Sequence, residues 1–370
     1  MSVVNFERSH MADRSSGKTL RYALALSLLA VAFAIVVSLG RTRPQTSTPA
    51  AKPAGKPVSV SETRSMLGTY ITLTVVAESE PKARADIAAG FERIAELDAI
   101  LSAYRPDSEL VRLNQRAGRE SVKVSDELYR AIEAGVTWYS RTQGAFDIAC
   151  APLLELWRNC GKLDRLPTPD ELARAKSLGG AARILLDPKA HTVRFPVAGM
   201  RLDLGGHGKG FIADEVEKLF LKRSVKNALI ALSGDIRAMG RSAEGRPWRV
   251  GVEDPRNPDA IITTLELTDR SVSTSGNYER FVEIQGQRHS HIVDPRTGQT
   301  AEGVLSDTVI GPDTTTTDVL DTGLNVLGVQ DGLALAEKLK DVETLFVTLD
   351  EKGEMRLTRS KGFAAYEAKK

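Results

Sequence analysis

Thr317-Asp318-Val319-Leu320-Asp321-Thr322 concentrates polar chemistry in six positions. On a helix, positions 318, 321 and 322 stand at i, i+3 and i+4 and share one face. Two carboxylates and a hydroxyl there suit a hard cation such as Mg²⁺, which takes oxygen ligands and bridges phosphate oxygens. The competing reading is a set of acids in a first helical turn, stabilised by the helix dipole. Leu202 to Phe211, LDLGGHGKGF, places four glycines, Asp203, His207 and Lys209 between an expected strand (Met200–Leu204) and a helix expected from about Phe211. Glycine lets backbone N–H groups approach a ligand, a helix start adds positive potential, and Lys209 adds a full charge. The result is an anion cradle suited to phosphate. It matches neither G-x-G-x-x-G nor the P-loop, because the glycines fall at 205, 206, 208 and 210 and Lys209 precedes Gly210. A plain glycine turn with a solvated lysine is the alternative.

His289 and His291 lie two apart, on the same face of an expected strand that enters the turn Asp294–Gly298. No third His or Cys stands nearby, which favours one imidazole as acid, base or phosphate contact over a metal pair. Leu232-Ser233-Gly234-Asp235 follows a strand and can present backbone N–H groups, while Ser271–Tyr278 reads as a hydroxyl-rich turn. Tyr104 falls at a helix end, because Pro106 disfavours helix at Arg105. From its type alone it favours core packing over a platform for an aromatic ligand. An anion cradle, an oxygen-only cation site and a histidine together suit cleavage or transfer at a pyrophosphate.

The elements that must position these residues follow from periodicity. Tyr70–Val76 alternates as a strand. Pro81–Ala103 carries Ile87, Phe91, Ile94 and Leu101 at helical spacing. Ser125 caps a helix with the stripe Leu128, Ile132, Val136 and Tyr139, and Thr168–Glu171 is a capping box. Six strands are expected after position 227 (Ala228–Leu232, Trp248–Val252, Ile262–Leu267, Phe281–Ile284, Asp307–Gly311, Thr344–Leu349), with helices at Thr317–Leu327 and Asp331–Lys340. Strands and helices do not alternate strictly, so the fold class is α+β, with mixed or antiparallel sheets flanked by helices.

A net charge of +2 gives no sign of a nucleic-acid partner, and two cysteines without a CxxC argue against a cysteine-built zinc site. Arg8, Arg14, Lys18 and Arg21 precede the uncharged run Tyr22–Gly40, long enough to span a bilayer with its basic end in the cytoplasm. The expected organisation is a basic cytoplasmic segment (1–21), a transmembrane signal-anchor (22–40), a Pro/Ala/Thr-rich linker (41–57) and one domain (58–370). Localisation would be the bacterial inner membrane, single-pass, with the domain periplasmic. Cleavage after Ser38-x-Gly40 is the variant.

With these stretches laid out, the chain resembles the ApbE family of FAD:protein FMN transferases. The resemblance covers Thr63 onward and rests on ordered segments: LGTY (67–70), LSAYRPDSELVRLN (101–114), GAFDIACAPLLELW (144–157), DLGGHGKG (203–210), ALSGDI (231–236), STSGNYERF (273–281), HSHIVDPRTG (289–298) and TDVLDTGLNVLG (317–328). It implies an ApbE-like α+β fold and a Mg²⁺-dependent enzyme that splits FAD, attaches FMN through a phosphoester to a Thr or Ser of a target protein, and releases AMP. The implied acceptor is a redox subunit at the membrane carrying a Thr/Ser flavinylation motif. Tyr104 matches the tyrosine that stacks on the flavin. Ala145, Phe146 and Asp147 match a flavin-contacting segment, Asp203 and Lys209 match FAD-binding positions, and Val293 falls where backbone meets the cofactor. Asp318, Asp321 and Thr322 match metal ligands, with Gly206 supplying a main-chain oxygen. His291 matches a catalytic histidine.

The chain departs from the pattern at Leu67, where methionine is usual beside the flavin, at Gly208, usually alanine, and at His207, usually apolar. His207 either reaches the ligand or is a surface change. Cys150 and Cys160 lie outside the pattern and are either a disulfide or two free thiols. Two other readings use the same residues: a Mg²⁺-dependent FAD pyrophosphatase giving FMN and AMP, and a non-enzymatic FAD-binding protein.

Overall fold

The computed structural model describes residues 56–276 and 281–369. Segments 1–21 and 22–40, most of 41–57, and Asn277–Arg280 of the STSGNYERF stretch lie outside the described residues. In chain order the elements are β1 (Val58–Met66), β2 (Thr69–Ala77), α1 (Glu80–Leu101), α2 (Glu109–Arg116), β3 (Val122–Lys123), α3 (Asp126–Arg141), α4 (Ala151–Lys162), α5 (Pro169–Ser177), β4 (Leu185–Asp187), β5 (Thr192–Arg194) and α6 (Gly208–Lys222). There follow β6 (Asn227–Leu232), β7 (Asp235–Met239), β8 (Trp248–Asp254), β9 (Asn257–Leu267), β10 (Arg270–Gly276), β11 (Phe281–Ile284), β12 (Gln287–Ser290), β13 (Ser306–Gly311), α7 (Thr314–Ala336), β14 (Glu343–Leu349) and β15 (Met355–Arg359).

The α+β expectation holds. One eight-stranded sheet runs β1-β2-β6-β7-β10-β13-β14-β15, and every neighbouring pair in it is antiparallel. Helices α1, α6 and α7 pack on one face. Their buried stripes, such as Ile87, Phe91, Ile94 and Leu97 of α1, join Ile71, Leu73 and Ile230 of the sheet in the main core. Each such side chain contributes about 1.5–3 kcal/mol when fully buried. The other face is covered by the β8–β9 hairpin through Trp248, Val250, Leu265 and Leu267.

Some expectations fail locally. Met200–Leu204 is extended but forms no strand. The Asn114 carboxamide takes the place of a neighbouring strand: its Oδ1 accepts from the Leu202 N–H at 2.8 Å and its Nδ2 donates to the Leu202 carbonyl at 2.9 Å. The stretch read as a Ser271–Tyr278 turn is, over Arg270–Gly276, strand β10. Its alternate serines are buried against α7, with Ser271 bonded to Thr314 at 2.9 Å and Ser273 to Thr317 at 2.8 Å. Edge strand β1 escaped recognition because its outward residues are polar.

No helix among the described residues is long and apolar enough to cross a membrane. The expected single-pass inner-membrane, periplasmic placement is corrected accordingly. The segment that suggested it lies outside the described residues, α1 is interrupted by Lys, Arg, Glu and Asp side chains, and α7 is two helices joined by a kink at Gly328 (φ 74°), in keeping with the two expected there. The question of Cys150 and Cys160 is also settled: both are free. They stand at the start and near the end of α4, and ten residues of helix separate them by about 15 Å, beyond disulfide reach.

Candidate active site

The β1–β2 hairpin turns through Leu67 and Gly68, both left-handed at φ 54° and 72°. Leucine in that region costs about 1–2 kcal/mol, imposed here by the two-residue hairpin between paired Met66 and Thr69, whose turn needs φ > 0 at both central residues. Leu67 borders a cleft of about 700 Å³ that also contains Tyr104, Ala145, Phe146, Asp147, Asp203, Gly206, Lys209, His291, Val293, Asp318, Asp321 and Thr322. Every residue that the resemblance assigned to the site therefore borders one cleft of ligand-binding size, while His207 and His289 do not.

The floor is built by α6 and α7. Helix α7 starts at Thr314, capped by Asp313, whose Oδ1 accepts from Thr316 N–H at 2.8 Å. Asp318 and Asp321 thus lie beyond the first turn, each 2% exposed, and the capping-acid reading fails for them. Asp318 Oδ2 accepts from the Gly210 N–H at 2.7 Å. This bond needs a close crossing: a Cβ on Gly210 would fall 2.3 Å from the Thr314 carbonyl oxygen. Asp235, at the start of β7, is equally buried, and carboxylate oxygens of Asp235, Asp318 and Asp321 lie within 4.8 Å of one another.

Lys209 reaches into this cluster. Its ammonium pairs closely with Asp235 and stands 3.5 Å from Asp318 Oδ1. Burial works against the charged ammonium, but the surrounding charges of Asp235, Asp318 and Asp321 outweigh it and raise its pKa. Lys209 is therefore a counter-ion to the acids, and it also borders the cleft. Burial first, then the neighbouring carboxylates, push Asp318 and Asp321 above the usual carboxylate range.

Three carboxylates against one ammonium leave an excess of two negative charges when all are ionised. Asp235 Oδ1 is buried without a hydrogen-bond partner. Thr322 adds a hydroxyl beside Asp321, at 3.3 Å. Gly206 lies next to it, since a Cβ there would sit 3.6 Å from Thr322 Oγ1 and 3.0 Å from Phe146. An all-oxygen set with this charge fits a divalent hard cation.

Tyr104 overturns its own core-packing reading. It is 73% exposed on the cleft rim, with the Arg158 guanidinium 5.9 Å from its ring centre. Asp147 borders the cleft but is committed to the backbone, accepting from the N–H groups of Ala149, Gly180 and Ala181 at 2.8–3.0 Å. Burial raises its pKa, and these donors oppose the rise. Asp203 holds the glycine turn, accepting from Gly205 N–H at 2.8 Å.

His207 fits neither alternative read for it. It is fully buried, edge-on to Phe146 at 5.6 Å, with Nε2 2.9 Å from the Ala131 carbonyl. Burial lowers its pKa to about 4 despite that carbonyl.

The two strand-face histidines part company, because β12 ends at Ser290. His289 packs on Trp157 at 5.3 Å, while His291 stands exposed in the cleft. Trp157 also donates from Nε1 to the Gly298 carbonyl at 2.8 Å, tying the turn that follows His291 and Val293 to α4. Asp235, within the acidic cluster, and Trp157, which holds the turn after His291, are positions at the candidate site that the sequence did not single out. The only signal for Asp235 was its place at a strand end after Ser233-Gly234.

A sequence model of the ApbE family matches residues 67–346. The chain is 36% identical over 282 residues to the FAD:protein FMN transferase of Treponema pallidum, across 71% of this chain and 76% of that one. It is 33% identical over 260 residues to one from Klebsiella pneumoniae, across 70% and 80%. Among solved structures, the ApbE protein of Thermotoga maritima superposes with a TM-score of 0.76 at 31% identity, covering 84% of this chain and all of that one. Flavin transferase ApbE from Vibrio cholerae gives 0.74 at 26%, covering 84% and 99%.

Proposed function

The chain belongs to the ApbE family and is an FAD:protein FMN transferase, and from that premise we propose how its cleft works. The observation that carries the proposal is the convergence of Asp235, Asp318 and Asp321 in the same cleft as Tyr104 and His291. FAD lies with its flavin on Tyr104 and against Leu67, Ala145 and Phe146, while Asp203 and the backbone at Val293 meet its polar groups. Asp318, Asp321, Thr322 and the Gly206 carbonyl would hold Mg²⁺, with Asp235 and Lys209 setting the charge around it. When bound, the cation neutralises charge developing on the diphosphate.

The acceptor is a redox protein with a Thr/Ser flavinylation motif. Its hydroxyl oxygen attacks the FMN phosphorus, and His291, open to solvent where a protein must arrive, takes the hydroxyl proton. The bond from that phosphorus to the bridging oxygen breaks, and AMP leaves with the bonding pair. Simple FAD storage would not require three acids buried together, a costly arrangement without a cation.

The test is to incubate the protein with FAD, Mg²⁺ and a Thr-motif acceptor and weigh the acceptor. A gain of one FMN less one water, with release of AMP, is expected. Free FMN beside unmodified acceptor indicates the pyrophosphatase, and intact FAD indicates a binding protein. Either result overturns the proposal.

A further inference from the structure

We infer that a second pocket, on the far side of Tyr104 from the acidic cluster, receives an acidic stretch of the acceptor polypeptide. The inference rests on the transferase reading above. The pocket measures about 300 Å³ and shares only Ala103, Tyr104 and Asp203 with the flavin cleft, so Tyr104 stands on the ridge between them.

One wall is a face of α4. Ala151, Glu155, Arg158 and Lys162 recur at i, i+4, i+7 and i+11 and line the pocket. The opposite face of the helix buries Leu153, Trp157 and Cys160. Arg201 closes the pocket from the extended segment before the glycine turn and pairs with Glu155. Arg158 bonds only to the Leu154 carbonyl of its own helix, and neither it nor Lys162 meets a carboxylate among the described residues. The helix dipole accounts for a cation in the last turn at Lys162. It does not account for Arg158 in mid-helix, where Glu155 already pairs with Arg201.

The charges of the substrates decide what can answer these cations. The only anionic part of FAD is its diphosphate, and a cation held by the acidic cluster of α7 would take it. Isoalloxazine, ribityl chain and adenosine are neutral. Glu155 answers Arg201 and Asp203 adds a second carboxylate to the lining, which leaves Arg158 and Lys162, beside the flavin platform, as cations with no partner in FAD. The other substrate must bring its hydroxyl to the same phosphorus from solvent, past the cleft mouth. A carboxylate a few residues from that hydroxyl, on a chain advancing about 3.3 Å per residue, meets Arg158 and Lys162. Such a contact steers and registers the acceptor, and it weakens with salt.

The experiment uses the whole chain with Lys162→Glu, and with Arg158→Glu added, measured for AMP release against FAD concentration and for FMN transfer against concentration of a recombinant Thr-motif acceptor domain. Lys162→Glu avoids the Tyr104 ring. Expected are an acceptor KM raised by about 10-fold or more and an FAD KM within about twofold. The wild-type acceptor KM should rise between about 50 and 300 mM salt, and that of the double variant should not. Changing the acceptor's Asp and Glu near its Thr to Asn and Gln should weaken wild type and add nothing in the double variant. If the double variant unfolds, Arg158→Gln carries the same comparison.

A raised FAD KM with unchanged acceptor KM would assign the pocket to FAD and overturn the inference, as would no change in either. Failure of the transferase reading looks different: wild type then leaves every acceptor unmodified, whatever its charge.

Discussion

A Gly210→Ala substitution puts a methyl group 2.3 Å from the Thr314 carbonyl oxygen and 2.8 Å from Asp318 Cβ, where ordinary contact begins at 3.4 Å. The obstacle is backbone, so α6 and α7 must part by about 1 Å. Overpacking of this kind costs about 1–3 kcal/mol, and a backbone obstacle places it at the upper end. At about 2 °C per kcal/mol for a domain this large, Tm should fall by about 6 °C. The same displacement removes Asp318 from the Gly210 N–H, so turnover should drop and the Mg²⁺ concentration needed for half-maximal rate should rise.

Gly208→Ala is the internal control. Its Cβ meets only Leu204 Cβ, at 3.9 Å, and alanine favours helix over glycine by up to about 1 kcal/mol, so stability and rate should hold or improve slightly. Thermal unfolding with and without Mg²⁺, together with AMP release, reads all of these quantities. A Gly210→Ala protein with Tm within about 1 °C of wild type and unchanged Mg²⁺ dependence would refute the argument. So would a Gly208→Ala protein that falls as far as Gly210→Ala.

Asp318→Ala and Asp321→Ala should each lower Mg²⁺-dependent AMP release by more than the roughly 10–100-fold that outer partners of a metal cost. Both should abolish any Mg²⁺-induced rise in Tm, and full activity in both would remove the metal assignment. Tyr104→Ala should raise the FAD KM by about 2- to 12-fold, the equivalent of an aromatic contact worth about 0.5–1.5 kcal/mol, with kcat little changed. An unaltered KM would deny it the flavin. His207 makes stability depend on pH: its pKa is about 4 folded against 6.5 unfolded, so the unfolded chain binds the proton first as pH falls. Its contribution is whole above pH 6.5 and lost progressively down to about 4, a swing of about 3 kcal/mol. Urea unfolding at stepped pH should show that slope in wild type and lose it in His207→Leu.

The helices and the apolar strands were legible because each carries a strong periodic stripe, as in Ile87, Phe91 and Ile94 of α1 or Leu128 and Ile132 of α3. What escaped was structure stabilised through side chains rather than through apolar pattern. Strand β10 hides its serines against threonines of α7, a polar contact that single-sequence reading assigns to a turn. The 200–204 segment looks like a strand yet is satisfied by a carboxamide from position 114. The site itself was legible in its parts, since its oxygen-bearing and glycine-rich stretches are chemically dense. The pairing of Lys209 with Asp235 was not legible because the two are close only in three dimensions. His207 was misjudged because its partner, the Ala131 carbonyl, belongs to a helix distant in the chain.

The order β1-β2-β6-β7-β10-β13-β14-β15 rises monotonically along the chain, yet β2 and β6 meet only after an excursion from Ala77 to Asn227. Closing a loop of about 150 residues costs about 4 kcal/mol of chain entropy, so the seam is favourable only once α1 and α6 have docked. The cleft lies along that seam and along later strands, with contributions from Leu67 through Thr322. A chain emerging from the ribosome consequently cannot assemble the cleft until Thr322 has been made, and a copy that stops earlier lacks part of the site by topology alone.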